Sequence, residues 1–250
     1  MKHKIKHAKE LVRNEYLSGQ VVSRYVSQVR DIGLWESEKL VYWKYLKMSD
    51  RILDLGCGAG RTTINLYQAG FHDIEGVDAS EAMIRAAKRN ARELALPVNF
   101  IHGDAVQLHY DHATFDSVIF SFNGIMQIPW SMNRKRACSE IRRVLKQGGF
   151  FIFTTHDRHY VADYADFWAE QKNLWREGRQ DPRLLEYGDI IVEDGTNPLT
   201  FAHIPTPEEV RSLLDEVGFC VEETAMRSEL LEEPEHIKKY STDCRFWIVR

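Results

Sequence analysis

From Arg51 onward, short apolar runs alternate with amphipathic stretches along the chain. This alternation is typical of βαβ units, in which helices join parallel strands. The apolar runs predict five strands, at 52–55, 74–77, 98–101, 117–121 and 149–154, and the stretches between them predict helices at 62–69, 81–94 and 133–145. Right-handed crossovers would wind these units into an open, doubly wound sheet that binds ligands at the carboxyl ends of its strands.

Boundary residues support this division. Ser80 offers a hydroxyl cap to the helix that begins at Glu81. Gly148 and Gly149 let the chain reverse before the fifth strand, where a side chain would clash. Upstream, residues 5–47 place apolar side chains at helical spacing, and Gly19 divides this stretch near its start. Gly33 interrupts the same stretch a second time, so we predict three short N-terminal helices.

The alternation stops after the fifth strand. Residues 157–205 contain an aromatic, acidic, helix-like stretch and a predicted hairpin around 193–197, so we interpret them as an insertion. A helix at 207–217 follows, with Thr206 as its cap, Pro207 at its first position and Gly218 as its end. Further strands near 221–224 and 244–249 raise the predicted total to seven.

Composition narrows the class of protein. The 250 residues are 44% hydrophobic and 28% charged, values of an ordinary globular domain. A net charge of −4 provides no general attraction for a polyanion, and no apolar run approaches the roughly 18 residues of a membrane helix. The four cysteines are scattered without a C-x-x-C pair, which indicates free thiols and no zinc site. We therefore expect a cytoplasmic protein without a membrane partner.

A glycine-rich turn, D-L-G-C-G-A-G at 54–60, lies between the first strand and an amphipathic helix. Glycine permits a tight turn with room for a ligand, and the following helix N-terminus presents free N–H groups. The G-x-G-x-G spacing is one residue shorter than the dinucleotide fingerprint, which disfavours a nicotinamide cofactor. Asp54 would repel a pyrophosphate but could hold an ammonium group.

With three later motifs, this turn resembles the class I S-adenosylmethionine-dependent methyltransferases. The motifs are G-V-D-A-S at 76–80, G-D-A at 103–105 and F-D-S-V-I-F at 115–120, and the likeness covers about 50–155. It implies a Rossmann-like, mostly parallel, seven-stranded α/β sheet with helices on both faces. It also implies a helical lid at 1–49 on a methyltransferase domain at 50–250, with 157–205 as a cap insertion.

The resemblance further implies S-adenosylmethionine as the cofactor, S-adenosylhomocysteine as its product, and no metal. It places the methionine end of the cofactor at Asp54, Gly56, Cys57 and Gly58. Asp78 is similar to the family's acidic residue that accepts hydrogen bonds from both ribose hydroxyls. A helix-capping role is the alternative for Asp78, and the two roles are compatible.

The remaining expected cofactor contacts follow the second, third and fourth strands: Ala79, Met83, Asp104, Ala105, Ser121 and Phe122. The first two would flank the ribose and adenine, although Met83 could equally be a core residue. Asp104 and Ala105 would meet the adenine edge, with a loop cap as the alternative for Asp104. The last two would form the wall beside the reactive methyl group.

Three residues are candidates for the acceptor side. His156, in T-T-H-D-R after the fifth strand, could remove a proton near neutral pH, contact the substrate or make only a structural hydrogen bond. Asn123 could bind the substrate or belong to an Asn-Gly turn. Tyr25 could contact the substrate or pack the lid against the core.

We therefore expect a methyltransferase that moves a methyl group to an O or N nucleophile of a small molecule by in-line displacement. The N-P-P-Y motif of enzymes acting on adenine or glutamine is missing after the fourth strand. The basic stretch from Arg134 to Lys146 keeps an RNA methyltransferase as an alternative, although nucleic acid is not the expected partner. A non-catalytic cofactor-binding subunit is the other alternative. The expected assembly is a monomer or a homodimer.

Overall fold

The computed structural model describes residues 19–160, 164–192 and 200–250. In this part of the chain, seven strands build the central sheet: β1 (Ile52–Leu55), β2 (Ile74–Asp78), β3 (Asn99–His102), β4 (Phe115–Phe120), β5 (Leu145–Thr155), β8 (Val221–Met226) and β9 (Arg245–Val249). Two more strands, β6 (Asp189–Val192) and β7 (Thr200–His203), form a separate antiparallel pair.

The strands of the central sheet lie in the order β3-β2-β1-β4-β5-β9-β8. Strands β1 to β5 are parallel, whereas β9 is antiparallel to both β5 and β8. The strand order reverses between β1 and β4, and ligands of doubly wound sheets bind outside the carboxyl ends at such a point. The predicted Rossmann-like, mostly parallel, seven-stranded sheet is confirmed.

Helices cover both faces of this sheet. The long ones are α1 (Gly19–Asp31), α2 (Glu36–Tyr45), α3 (Arg61–Gln68), α4 (Glu81–Glu93), α5 (Ser131–Val144), α6 (Ala165–Glu177) and α7 (Pro207–Val217), and the short ones are α8 (Arg227–Leu230) and α9 (Glu235–Lys238). In the described residues, each helix falls short of the length and apolarity that a bilayer crossing demands.

The sheet has a buried apolar cluster on each of its two faces, because successive residues of a strand point to opposite faces. In β1, Leu53 and Leu55 pack into one buried apolar cluster, and Ile52 packs into another. In β4, Val118 and Ile119 divide between the same two clusters. A strand buried on both faces carries a continuous apolar run, which is why these segments were recognisable in the sequence.

Local capping explains the helix boundaries. The Ser80 hydroxyl accepts a hydrogen bond from the Met83 N–H at 3.3 Å and begins α4, as predicted. At α7, the Thr206 hydroxyl accepts from the Glu209 N–H at 3.3 Å, and the Glu209 carboxylate accepts from the Thr206 N–H at 3.0 Å. Gly218 ends α7 with φ of 81°.

The described residues include only part of the predicted N-terminal helices and of the predicted insertion. Helix α1 begins at Gly19, and Gly33 lies between α1 and α2. The first predicted N-terminal helix and the hairpin turn at 193–197 lie outside the described residues. Helix α6 and the β6–β7 pair occupy the described part of the insertion. All four cysteines are free thiols.

The fifth strand differs from its prediction. It begins at Leu145, immediately after α5, because Leu145 already pairs with Phe115 of β4. The two glycines therefore lie within β5, where Gly148 has φ of +78° and the pairing with β4 is irregular. The predicted clash at Gly149 is present, since an ideal Cβ there would lie 2.5 Å from the main-chain oxygen of Asp116.

This close approach makes Gly149→Ala a test of the β4–β5 pairing. The backbone oxygen cannot move aside without distorting the sheet, so the variant should lose about 1 to 3 kcal/mol of unfolding free energy, as overpacked sites do. Urea denaturation followed by circular dichroism measures the loss. Gly19→Ala is the matched control, because a Cβ at Gly19 meets no atom within 4 Å. Equal stability of the two variants would contradict the close packing.

Candidate active site

A cavity of about 300 Å³ opens at the carboxyl ends of β1, β2 and β4. The parallel register brings the residues that follow these strands to one edge of the sheet. Nine residues expected from the sequence line this cavity: Tyr25, Gly56, Gly58, Asp78, Ala79, Asp104, Ala105, Ser121 and Phe122. Its volume falls at the lower end of the range for small-molecule sites.

The glycine-rich loop forms one wall of the cavity. Gly56 has φ of +68° and Gly58 has φ of +55°, a backbone region that side chains rarely allow. An ideal Cβ at Gly56 would lie 2.5 Å from the ring of Phe120, so the loop and β4 touch directly. The Cys57 N–H donates to the Val77 carbonyl at 3.0 Å, which ties the loop to β2.

Asp78 ends β2 and holds two parts of the wall together. One carboxylate oxygen accepts from the Gly58 N–H at 2.9 Å, and the other accepts from the Ser80 N–H at 2.7 Å. Burial raises the pKa of this carboxyl, while the two backbone hydrogen bonds counteract the rise. Each oxygen has a second lone pair, so Asp78 can still accept from a vicinal diol.

Asp54 lies beneath the cavity rather than in its lining. Its side chain is fully buried, and one oxygen accepts from the Thr63 hydroxyl at 2.5 Å. The other oxygen is buried with no hydrogen-bond partner among the described residues. Burial raises the pKa of this carboxyl from its ordinary 3.8 to about 7. A buried, incompletely bonded carboxyl beside the glycine loop fits a ligand's ammonium group.

Two expected cofactor contacts have side chains in the core instead. Met83 is 1% exposed and packs with the apolar face of α4. The Cys57 side chain belongs to the same cluster and lies close to Gly76. Only the backbone of Cys57 is therefore part of the loop surface. Neither residue lines the cavity. Helix α4 is amphipathic, and Met83, its third residue, lies on the face that packs against the core.

His156 and Asn123 come together but lie outside the cavity lining. The Asn123 side-chain nitrogen is 3.3 Å from His156 Nε2, and His156 Nδ1 is 2.9 Å from the Asp243 carbonyl oxygen. A carbonyl only accepts, so Nδ1 carries the proton and Nε2 carries the lone pair. Burial lowers the pKa of His156, which keeps the ring neutral near pH 7.

Asn123 also belongs to a strained segment. Phe122 and Asn123 both have left-handed φ values, of 53° and 60°. The Asn123 N–H donates to the Thr154 hydroxyl at 2.9 Å, and its side-chain oxygen is buried with no partner among the described residues. Strain of this kind persists only where surrounding contacts impose it. Here it turns the Phe122 ring toward the cavity.

Sequence reasoning missed part of the lining. A single 3-10 turn, Gly124–Gln127, follows β4 and brings further residues to the cavity. From this turn and just after it come Gln127, Ile128 and Pro129, while Phe120 at the end of β4 and Val106 after β3 complete the missed side chains, which are mostly apolar. The motif after β4 was the available signal, but the fold of the following turn depends on tertiary contacts.

A second cavity, of about 470 Å³, lies between α5, α7 and the β6–β7 pair. Glu186, Asp189 and His203 approach one another there closely enough to hold a metal ion. However, Glu186 is already 2.6 Å from the Arg134 guanidinium, and Asp189 accepts from His203 Nδ1 at 2.8 Å. These charges neutralise one another, so the cluster joins the insertion to the core without requiring a cation.

The basic stretch around α5 is largely neutralised as well. Lys135 pairs with Glu216, and Arg143 pairs with Glu140, at 2.7 and 2.8 Å. Lys146, which falls in β5, is 2.8 Å from the Asp116 carboxylate. These side chains do not form a free cationic surface of the kind that binds a phosphate backbone.

Comparison with known proteins identifies the family of the chain. Residues 52–149 match the family described as methyltransferase domain. The demethylmenaquinone methyltransferase of Staphylococcus aureus strain JH9 is 30% identical over 211 residues, which are 80% of this chain and 82% of that protein. The enzyme of the same name from Staphylococcus saprophyticus is 33% identical over 109 residues, 43% of this chain and 45% of that one. The chain thus spans about half the length of some curated relatives it matches.

A solved structure shares the fold. A crystal structure titled as a SAM-dependent methyltransferase from Methanosarcina mazei superposes with a TM-score of 0.69 at 22% identity, covering 87% of this chain and 98% of the other. The doubly wound sheet, the glycine loop and the acid at the end of β2 define a nucleoside-binding α/β protein. The chain belongs to the class I S-adenosylmethionine-dependent methyltransferases, the family that uses S-adenosylmethionine as methyl donor.

The buried Asp54 predicts a pH dependence of stability. Its folded-state pKa lies above its unfolded value, so its stabilising effect is complete at low pH and is lost as pH rises through about 7. Relative to Asp54→Asn, the wild type should lose about 2 to 3 kcal/mol of unfolding free energy between about pH 5 and about pH 8. Urea denaturation at both pH values measures this difference. The same pH dependence in both proteins would contradict burial of the carboxyl.

Proposed function

We propose that this protein transfers the methyl group of S-adenosylmethionine to an O or N nucleophile of a small molecule by in-line displacement. The observation that carries the proposal is the Asp78 carboxylate, which is fixed by the Gly58 and Ser80 N–H groups at the lip of the glycine loop. The two Asp78 oxygens can accept hydrogen bonds from a ribose, and the adjacent glycines of the loop have no side chains that would block it.

The remaining residues fit the rest of the cofactor. Asp104 and Ala105 line the part of the cavity that follows β3, where they would meet the adenine. The Gly56 turn would hold the methionine end, and the Asp54 carboxyl, which does not line the cavity, would reach its ammonium group through water. When bound, S-adenosylmethionine supplies a sulfonium-activated methyl group. The protein then has to align the acceptor and exclude water.

The lining favours an acceptor with an apolar ring over an anionic one. Its only carboxylates among the described residues are Asp78 and Asp104, both assigned to the cofactor. The wall beside the methyl position contains Tyr25, Phe120 and Phe122 instead. Flat aromatic side chains stack on planar apolar rings and provide no positive charge for an anionic substrate.

A more specific candidate follows from the relatives, which are named for demethylmenaquinone. The aromatic lining favours an acceptor of that kind over an anionic one. The RNA methyltransferase is less well supported, because the basic stretch around α5 is ion-paired. A non-catalytic subunit would bind the cofactor and methylate nothing.

Two measurements separate these candidates. Calorimetry with S-adenosylmethionine and with NAD tests the cofactor, and tight binding of NAD alone would overturn the proposal. Transfer of labelled methyl groups to phenols, amines, carboxylates, demethylmenaquinone and RNA tests the acceptor. Mass spectrometry and NMR of the product show whether O, N or C received the methyl group. Cofactor binding without transfer to any acceptor would favour the non-catalytic subunit.

Asp78→Ala should weaken S-adenosylmethionine binding about 100-fold, because two charge-assisted hydrogen bonds to the ribose are lost. Calorimetry at fixed salt measures the change in Kd. Asp73→Ala removes an exposed carboxylate just before β2 and should leave Kd unchanged. Equal effects of the two substitutions would show that Asp78 acts only through net charge.

We propose His156 as the proton acceptor: its Nε2 carries the lone pair, which accepts from the Asn123 amide in the free protein and would become available once Asn123 turns to the substrate. A base must be neutral, so kcat should fall as pH drops through the pKa of His156, which burial holds below its ordinary 6.5. His156→Gln should lower kcat about 100-fold and abolish this acid limb. The Kd for S-adenosylmethionine should not change. An intact acid limb in the variant would exclude His156 as the base.

A further inference from the structure

Arg61, directly after the glycine motif, is buried where α3 meets the N-terminal helices. Its Nη1 and Nη2 donate to the two carboxylate oxygens of Glu38, each at 2.6 Å, and Nη1 also donates to the Gly33 carbonyl at 2.8 Å. The side chains of the pair are 8% and 1% exposed. A bidentate, dehydrated pair of this kind is far stronger and more directional than a surface ion pair.

The same guanidinium touches the cavity wall. It lies over the rings of Trp35 and Phe122, at 5.3 and 5.7 Å from their centroids. The Trp35 N–H donates to a Glu38 oxygen at 2.9 Å, and the Trp35 ring contacts Phe122 at 5.5 Å. Phe122 lines the cavity. Arg61 therefore joins the N-terminal segment, residues 19–46, to the wall beside the cofactor site.

A second contact from α3 also holds the N-terminal segment against the core. Asn65, one turn after Arg61, donates to the Val29 carbonyl at 3.1 Å and so holds the end of α1. Tyr25, in the middle of α1, is the lining residue that this segment contributes. It lies against Gly58 and edge-on to Phe122, with 6.2 Å between ring centroids. Moving Tyr25 away from the cavity thus requires α1 and α2 to shift relative to α3.

We propose that Arg61 is a positioning residue that latches the N-terminal segment over the cofactor, so that breaking the Arg61–Glu38 pair controls cofactor release. This inference rests on the proposed function, because it takes the ligand of the cavity to be S-adenosylmethionine or its product. The pair is suited to the task because separating it leaves two charges in a poorly hydrated site until the segment has opened.

The test uses Arg61→Lys, which keeps the charge but loses the bidentate geometry. Stopped-flow fluorescence should show S-adenosylhomocysteine leaving this variant about 10- to 100-fold faster than the wild type. Hydrogen exchange of the free protein should rise in residues 19–46 and stay unchanged in β1, β4 and β5. Glu38→Gln breaks the same pair from the other side and replaces Arg61→Lys if that variant does not fold.

Arg30→Lys is the matched control, since Arg30 also joins α1 to the core. Its pair with Glu93 is 2.7 Å long but more than half exposed, at 56% and 57%, so its loss should alter neither the release rate nor the exchange. Unchanged release in Arg61→Lys, or exchange that rises equally throughout the sheet, would overturn the latch. If the wild type does not bind S-adenosylhomocysteine, the proposed function fails, while the exchange pattern still decides whether Arg61 latches the segment.

Discussion

The parallel pairing of β1 with its two neighbours is the constraint on which the site depends. Leu55 pairs with Val77, and Asp78 pairs with His102, so the loops after β1, β2 and β3 leave the sheet at one level. The order reverses on the other side of β1, where β4 supplies the opposite wall. Four separate stretches of sequence therefore meet around one cavity because backbone hydrogen bonds fix their relative heights.

Three buried charged residues lie near the glycine loop. Asp54 is fully enclosed, and the Arg61–Glu38 pair lies a short distance along the chain from it. Burying such groups costs free energy that an apolar core would not require, so they are weak evidence for stability. Their position around the glycine loop is better explained by ligand binding and by control of access to the ligand.

The insertion after β5 uses charge differently. There, charged side chains of the insertion meet opposite charges of the core, as in Glu186 with Arg134 of α5 and Arg158 with Glu209 of α7. Each charge is satisfied by its partner, and Glu209 has its pKa lowered to about 2 in spite of burial, mainly by hydrogen bonds from His203 and the Thr206 backbone together with the Arg158 charge. This network anchors the insertion, and it removes basic side chains that the sequence alone leaves free for another partner.

The sequence by itself determined the sheet, the glycine loop and the placement of Asp78, because strand periodicity, helix caps and turn glycines are local properties of the chain. It could not determine whether the side chains of Cys57 and Met83 face the cavity or the core, nor the lining beyond Phe122. The Asn123–His156 contact and the Arg61–Glu38 pair join residues 33 and 23 positions apart. Such contacts depend on how whole elements pack, and only the tertiary structure sets them, since no local preference of either residue specifies its distant partner.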